Sequence, residues 1–441
     1  MAVELEDTKL SLRWYDAQGC FQSEAIDIVD QMPIFIVMLI VFQRFNKRMW
    51  GLDTEQVESE DGTFEPDREA RCRFELIGRR TFAAPAVRVA KSSASHVKDE
   101  NSPFYKSSWV RCVDTKEPDT INTAHQRANA LLPENFRKMV TDHIPTVIAS
   151  RVCNESATST IRLLVRHVED SAQFIEEDIR KHARVRVWLV TRKLEPTQDL
   201  EPSEFWRVFW EILRCHYLLW RIGIAHSDIS LNNLMCTMRD DHYSGILNDF
   251  DLATIMKPGD RNPEKKGRER TGSIGFMALD LLKHPDGEQM RWYRHDLESF
   301  LWCLLWELME DPPEFWLDLG FTDVYEKKTV FCRNITRDFL EIRSDWEFIR
   351  TFITKWVMRL HRASTAAKGD EDVFGVLTKT KDAEVFTSNA IEINNTKDKQ
   401  KEDSDHVRLI TESARELECY ADIPALFDTS WVDLVLETSS K

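Results

Sequence analysis

The stretch Ile222–Met256, IGIAHSDISLNNLMCTMRDDHYSGILNDFDLATIM, constrains this chain more than any other. Two polar clusters interrupt apolar surroundings there: His226-Ser227-Asp228 with Asn233 following, and Asp249-Phe250-Asp251. Apolar runs at Leu234–Met238 and Ile246–Leu247 are separated by the polar turn Arg239–Gly245. Apolar run, turn, apolar run is the pattern of a β-hairpin. A hairpin here carries Asn233 at its entry and Asp249 at its exit, close in space, with Asp228 on the loop before it.

That combination suits phosphoryl transfer. One Asp can accept the proton of an attacking hydroxyl, while an Asn/Asp pair can hold divalent metal against a nucleotide's phosphates. HSDISLNN resembles the kinase catalytic loop H-R-D-L-x-x-x-N, and Asp249-Phe250-Asp251 resembles D-F-G. With RTGSIGFMALDLL and RHDLESFLW downstream, the ordered set is similar to the fungal-type protein kinase family. The resemblance spans roughly residues 10 to 360 and implies an α+β, two-lobed protein-kinase-like fold. A small antiparallel β lobe and a larger, mainly helical lobe are expected, with an N-terminal extension. It implies ATP and Mg²⁺ as cofactors, Asp228 as base beside His226, and Asn233 and Asp249 as metal ligands. Asp280 takes the place of the Glu in the kinase segment ending A-P-E. Asp296 takes the place of the Asp that anchors the catalytic-loop backbone.

The small-lobe features read less sharply. Phe74–Ala90 reads as strand, glycine turn, strand, and Gly78 would let backbone N–H groups approach phosphate. Two lysines compete to pair with the α/β phosphates: Lys106 in FYKSSW and Lys91 in RVAK. Lys106 is preferred because Glu117 follows at the start of a helix running through Ala130-Leu131-Leu132, with Pro118 in its first turn. Glu117 is then either the lysine's ion-pair partner or an acid complementing the helix dipole. Thr146–Ser150, Arg162–His167 and Arg184–Arg192 read as strands, and Lys193–Leu200 as a hinge. Ser203 is the expected N-cap of a helix ending at Gly223, whose Phe205, Phe209, Ile212, Leu213, Tyr217 and Trp220 share one face.

Before these motifs, SLRWYDAQGCFQSEAID reads as two strands joined at Asp16–Gly19. Pro33–Phe42, PIFIVMLIVF, is well short of the ~20 residues a membrane helix needs, so a buried strand or core helix is expected. The domain reading follows: 1–70 as an extension packed on the small lobe, 71–195 as small lobe, 196–365 as large lobe. Residues 366–405 then form a charged flexible insertion, and 406–441 closing helices. A net charge of −16 disfavours nucleic acid as a partner, and no membrane partner is expected. The nine cysteines lack metal-site spacing, and MAVELEDTKL lacks a signal peptide's apolar core. Both point to an intracellular protein, cytoplasmic or nuclear.

Three departures from the kinase pattern matter. Ser227 stands where the Arg is usual, Ser230 where many Ser/Thr kinases place a cation, and Asp251 where Gly is usual. Losing a cation beside a transferring phosphate costs on the order of 10²-fold in rate. Ser227 also has no charge for an activation-loop phosphate on Thr271 or Ser273 to neutralise, so activity independent of such phosphorylation is expected. The favoured reading is transfer of ATP's γ-phosphoryl group to a Ser/Thr hydroxyl of a protein substrate. Aminoglycoside- or choline-type phosphotransferases, which also use H-x-D-x-x-x-x-N, are one alternative. A nucleotide-binding pseudokinase acting as an interaction module is the other.

Overall fold

The computed structural model describes residues 2–45, 56–60, 62–67, 79–89, 102–154, 157–160, 162–163, 176–258, 260, 263, 272–284, 291, 293–334, 341–350, 353–354 and 357. Gly78, Lys91, Thr271 and the readings for 366–405 and 406–441 lie outside them. The chain is α+β, with every strand pair antiparallel among the described residues. It divides into two units: Met1–Asp119 with Thr146–Lys193, and Thr120–Pro145 with Leu194–Lys441.

The first unit holds two sheets. β1 (Ala2–Glu6), β2 (Lys9–Asp16) and β3 (Gly19–Gln22) run in that order, and β4 (Ile26–Asp27) pairs with β2. The turn falls where the sequence places it: Asp16 Oδ1 accepts the N–H groups of Gln18 at 2.7 Å and Gly19 at 3.1 Å. Arg162 grips the same carboxylate at 2.8 and 3.2 Å. Arg162 itself is helical, as is residue 163, rather than the start of a strand.

The second sheet is six-stranded, in the order β5 (Val57–Ser59), β6 (Gly62–Pro66), β7 (Phe82–Val89), β8 (Pro103–Arg111), β10 (Arg184–Arg192), β9 (Ala149–Cys153). β9 starts at Ala149 and runs to Cys153, later than the pattern TVIAS suggests. Strand alternation sorts β8 and β10 onto two faces. Tyr105, Trp188 and Val190 join Val57, Phe64 and Ala86 in one cluster, and Val110, Val185 and Val187 form another. α4 (Glu176–His182) precedes β10, and its His182 carbonyl accepts Gln18 Nε2–H at 2.7 Å.

One expectation fails here. Pro33–Phe42 does lie in a helix, α1 (Met32–Gln43), but none of its residues is buried. Ile34, Val37, Leu39, Ile40 and Val41 are all exposed. An apolar run this dense implies burial only if another element covers it, and local pattern carries no information on that.

The second unit is built on α5 (Pro202–Arg221). Pro202 at the first helical turn moves the N-cap to Glu201, so Ser203 lies inside the helix and does not cap it. All six residues assigned to the apolar face are buried, but so are Trp206, Val208, Trp210, Cys215, Leu218 and Leu219. The helix is therefore a core element covered on several sides. Phe209 packs edge-on to Phe300 at 5.7 Å, and Phe205 to Trp346 at 5.5 Å. α3 (Glu134–Thr141), α6 (Leu279–Lys283), α7 (Tyr293–Leu308) and α8 (Phe321–Asn334) complete the helices that matter below. α2 (Glu117–Leu131) begins in the first unit and continues into the second.

The expected hairpin is present as β13 (Leu234–Arg239) and β14 (His242–Leu247), with β11 (Glu195–Pro196) added at its edge. Its turn is tighter than Arg239–Gly245. Only Asp240 and Asp241 lie between the strands, both with positive φ, at 45° and 64°. Asp tolerates that region, and two such residues make the turn that matches strand twist.

Gly245 pins the hairpin to α5. Its N–H donates to Glu211 Oε2 at 2.8 Å, and its carbonyl lies 2.7 Å from His143 Nδ1. A Cβ here would meet the Val208 carbonyl oxygen at 2.7 Å and Ile212 Cγ1 at 2.8 Å. Backbone on the far side cannot yield, so Gly245→Ala should cost ~1–3 kcal/mol of unfolding free energy. Chemical denaturation of the two proteins measures this, and indistinguishable midpoints would rule out the close approach.

Candidate active site

Two short strands, β12 (Ile224–Ala225) and β15 (Thr254–Ile255), pair with each other and close a loop holding the polar clusters read from sequence. Their pairing continues in the Met256 N–H bond to the Gly223 carbonyl, at 2.8 Å. Arg127 of α2 caps this end: its Nη1 donates towards the carbonyls of Ile222 and Gly223 at 2.9 Å each and Met256 at 2.7 Å. Gly223 has φ +83°, and a Cβ there would lie 2.6 Å from the same Nη1.

Within the loop, His226 is fully buried, with Nε2 2.9 Å from the Asn248 carbonyl and its ring edge-on to Phe250 at 4.9 Å. Its Nδ1 lies 3.3 Å from the Asp228 N–H, so this nitrogen accepts while Nε2 donates to Asn248. His226 therefore ties the first polar cluster to the residue preceding the second. Burial pulls its pKa down to about 4, helped by repulsion from His216 and opposed by Asp296.

Asp228 meets the segment that returns from downstream. Its Oδ1 accepts the Ser273 N–H at 3.1 Å and lies 3.4 Å from Ser273 Oγ. Asn233 Nδ2 donates to the Asp228 carbonyl at 2.7 Å, which leaves the amide oxygen as the group's remaining ligand atom. The hairpin ladder pairs Leu234 with Leu247 and extends to the Asn248 N–H bond with the Asn233 carbonyl, at 2.9 Å. Asn233 and Asp249 thus flank the same end of the hairpin. Asp249 has φ +64°, and its Oδ1 accepts the Asp251 N–H at 3.3 Å. An amide oxygen and a carboxylate are hard oxygen donors, the type Mg²⁺ prefers, so this donor set fits a divalent cation.

Asp296 lies beneath this loop in the first turn of α7, inside the helix and not ahead of it, with no solvent exposure. It accepts from Ser227 N–H at 3.2 Å, His216 Nε2 at 3.0 Å and Arg291 Nε at 3.1 Å. Burial alone would raise this carboxyl's pKa, but Arg291's charge and the His216 bond outweigh that and hold it well below the usual range. Ser227 sits at φ +69°, a conformation costly for a non-glycine residue. Asp280 lies 3.5 Å from His295 Nε2.

In the first unit, Lys106 on β8 forms an ion pair with Glu117, Nζ to Oε2 at 2.7 Å, and Glu117 is buried as the first residue of α2. The ion-pair reading of Glu117 therefore describes its contact, with the helix-terminal location satisfied as well.

Arg127, His216, Arg291 and the role of Ser273 as Asp228's partner are not legible in the sequence. His216 has a faint signal, a polar residue within the apolar stripe of α5. The others sit among ordinary charged or polar neighbours.

Asp228, Asn233 and Asp249 thus gather at one loop and hairpin end, above a buried acid that holds the loop, and they are the residue types that phosphoryl transfer calls on. A family model described as "Fungal protein kinase" matches residues 1–308, and the chain belongs to that family. Membership suggests kinase activity and, with it, ATP and a divalent metal. No helix among the described residues is long and apolar enough to cross a membrane.

His226 gives a testable pH signature. Its folded pKa of about 4 is below the ordinary 6.5, so the unfolded chain takes up the proton first. The contribution is fully present above about pH 6.5 and is lost as pH falls through about 4. Relative to His226→Gln, which keeps a donor for Asn248, the wild type should lose on the order of 3 kcal/mol over that interval. A stability difference that is flat with pH, in denaturant titrations, would contradict the burial argument.

Proposed function

We propose that the protein is an ATP-dependent protein kinase with the two-lobed kinase fold, its two units corresponding to small and large lobes. Its reaction is transfer of the γ-phosphoryl group to a Ser or Thr hydroxyl of a protein. Asp228 accepts the hydroxyl proton. Asn233, through its amide oxygen, and Asp249 are the residues that would hold Mg²⁺, which when bound neutralises charge on the nucleotide's phosphates. Lys106, oriented by Glu117, pairs with the α/β phosphates. His226 fixes the loop around Asp228, and Asp296 anchors its backbone through Ser227.

The observation that carries the protein acceptor, as against a small molecule, is the contact of Ser273 with Asp228. Ser273 belongs to GSIGFMALD, the counterpart of the kinase segment that precedes the large-lobe helices, and small-molecule phosphotransferases with the same catalytic loop lack such a segment. The same contact bears on phosphorylation of Ser273. Ser273 is engaged with the base, so a phosphate there would face the Asp228 carboxylate directly.

The roles separate experimentally. Asp249→Ala should abolish Mg²⁺-dependent ATP binding in calorimetry, while Asp228→Asn should bind ATP nearly as wild type and lose ~10²–10⁴-fold in turnover. Lys106→Met should impair turnover with the fold intact. Equal losses of ATP binding in Asp249→Ala and Asp228→Asn would refute the assignment. Turnover of aminoglycosides in place of proteins would select the small-molecule alternative.

A further inference from the structure

Lys328 is a charge in an unusual place. It lies on α8 with no solvent exposure, beside an exposed Lys327. Removing an ammonium from water costs several kcal/mol unless its donors are satisfied. Here Nζ donates to the Met277 carbonyl at 2.7 Å and lies 4.2 Å from the centre of the Trp302 ring. On α7, Glu298 Oε1 accepts the Leu279 N–H at 2.7 Å and Trp302 Nε1–H at 3.1 Å. The two groups therefore hold the first and last residues of one tripeptide, Met277–Leu279, and both lie on the same indole. Burial lowers the lysine's pKa and raises the glutamate's, and each is partly restored by the other's charge.

The rest of the segment is fixed as tightly. A Cβ on Gly275 would meet Leu317 Cδ2 at 2.8 Å, and Phe276 packs on Trp306 at 4.9 Å. At its other end Ser273 is bonded to Asp228. Residues 273–279 thus run from the candidate base to the Lys328–Trp302–Glu298 clamp.

We propose that Lys328 and Glu298 are positioning residues for the protein acceptor: by holding the Met277–Leu279 backbone they set the surface along which the hydroxyl reaches Asp228. Neither touches a reacting group. The inference rests on the kinase reading given above. It bears on acceptor binding and not on nucleotide binding, because the clamp's bonds go to the Met277–Leu279 backbone and the Trp302 indole.

The test uses the full chain, ATP/Mg²⁺, and dephosphorylated casein as acceptor, with autophosphorylation as a second acceptor reaction. Lys328→Met should raise KM for casein about tenfold, or slow autophosphorylation by as much, while KM for ATP stays within twofold. Amide exchange should rise at Phe276–Leu281 and stay at wild-type values in α5. Trp302→Phe keeps an aromatic ring beside Lys328 but removes the indole N–H bond to Glu298 and part of the packing against Trp316 and Phe331. It should shift the acceptor reaction the same way by a smaller factor, and it decides the matter alone if Lys328→Met does not fold. The inference is overturned if KM for ATP rises in step with that for casein, if exchange rises throughout the unit, or if the acceptor reaction is unchanged in both variants. A wild type that transfers phosphate neither to casein nor to itself overturns the kinase reading, and this inference with it.

Discussion

A carboxylate without access to water stays charged only if protein donors replace the lost hydration. Asp296 meets that condition with three donors from three parts of the chain: His216 from α5, Arg291 from the segment before α7, and the Ser227 backbone from the catalytic-type loop. The dependence is mutual. Without the acid, two buried donors and a half-buried guanidinium lose their acceptor. Without the donors, the acid would take up a proton and release the loop. His216 is itself held flat against Tyr293 at 5.3 Å, so the aromatic core determines where this acid's partner sits.

The loop above it stores strain where the chemistry is concentrated. Ser227 and Asp249, neither of them glycine, both occupy the left-handed region. Residues so placed cost on the order of 1–3 kcal/mol each and persist where surroundings over-determine them. Ser227 is held by Asp296, and Asp249 by its own side chain's bond with the Asp251 N–H. The residue that replaces glycine in the D-F-G pattern is therefore the one whose backbone helps keep Asp249 in place.

Much of this region is legible in the sequence because its chemistry restricts residue type and spacing together. His226, Asp228, Asn233 and Asp249 fall on one loop and hairpin, as the alternation of apolar runs and turns requires. Lys106 and Glu117 are legible because a strand lysine and a helix-opening acid carry local signals. What the sequence hides is tertiary. Nothing in PIFIVMLIVF says whether another element covers it, and α1 is exposed. Lys327 and Lys328 are alike and adjacent in the sequence, yet the first is exposed and the second buried, since successive helix residues point about 100° apart. Pro202 shows why caps are hard to place: it competes with Ser203 for the start of α5 and wins because its φ already suits the first turn.

The pairing of β12 with β15 bears on how the molecule melts. Two residues on each strand seal a loop that contains the whole set of candidate catalytic side chains. Closing such a loop costs configurational entropy that a ladder this short repays only in part. Arg127 adds to it from outside the loop, through three carbonyls at once, as do Asp296 through the Ser227 N–H and Glu211 through the Gly245 N–H. The loop so closed buries Ile229, Leu231, Leu234, Ile246 and Leu247 and is tied to α5 through Gly245 and Glu211, so it has no separate route to opening that leaves the aromatic core around that helix intact. In such a molecule the candidate catalytic groups and the core are lost together, in one transition, on warming.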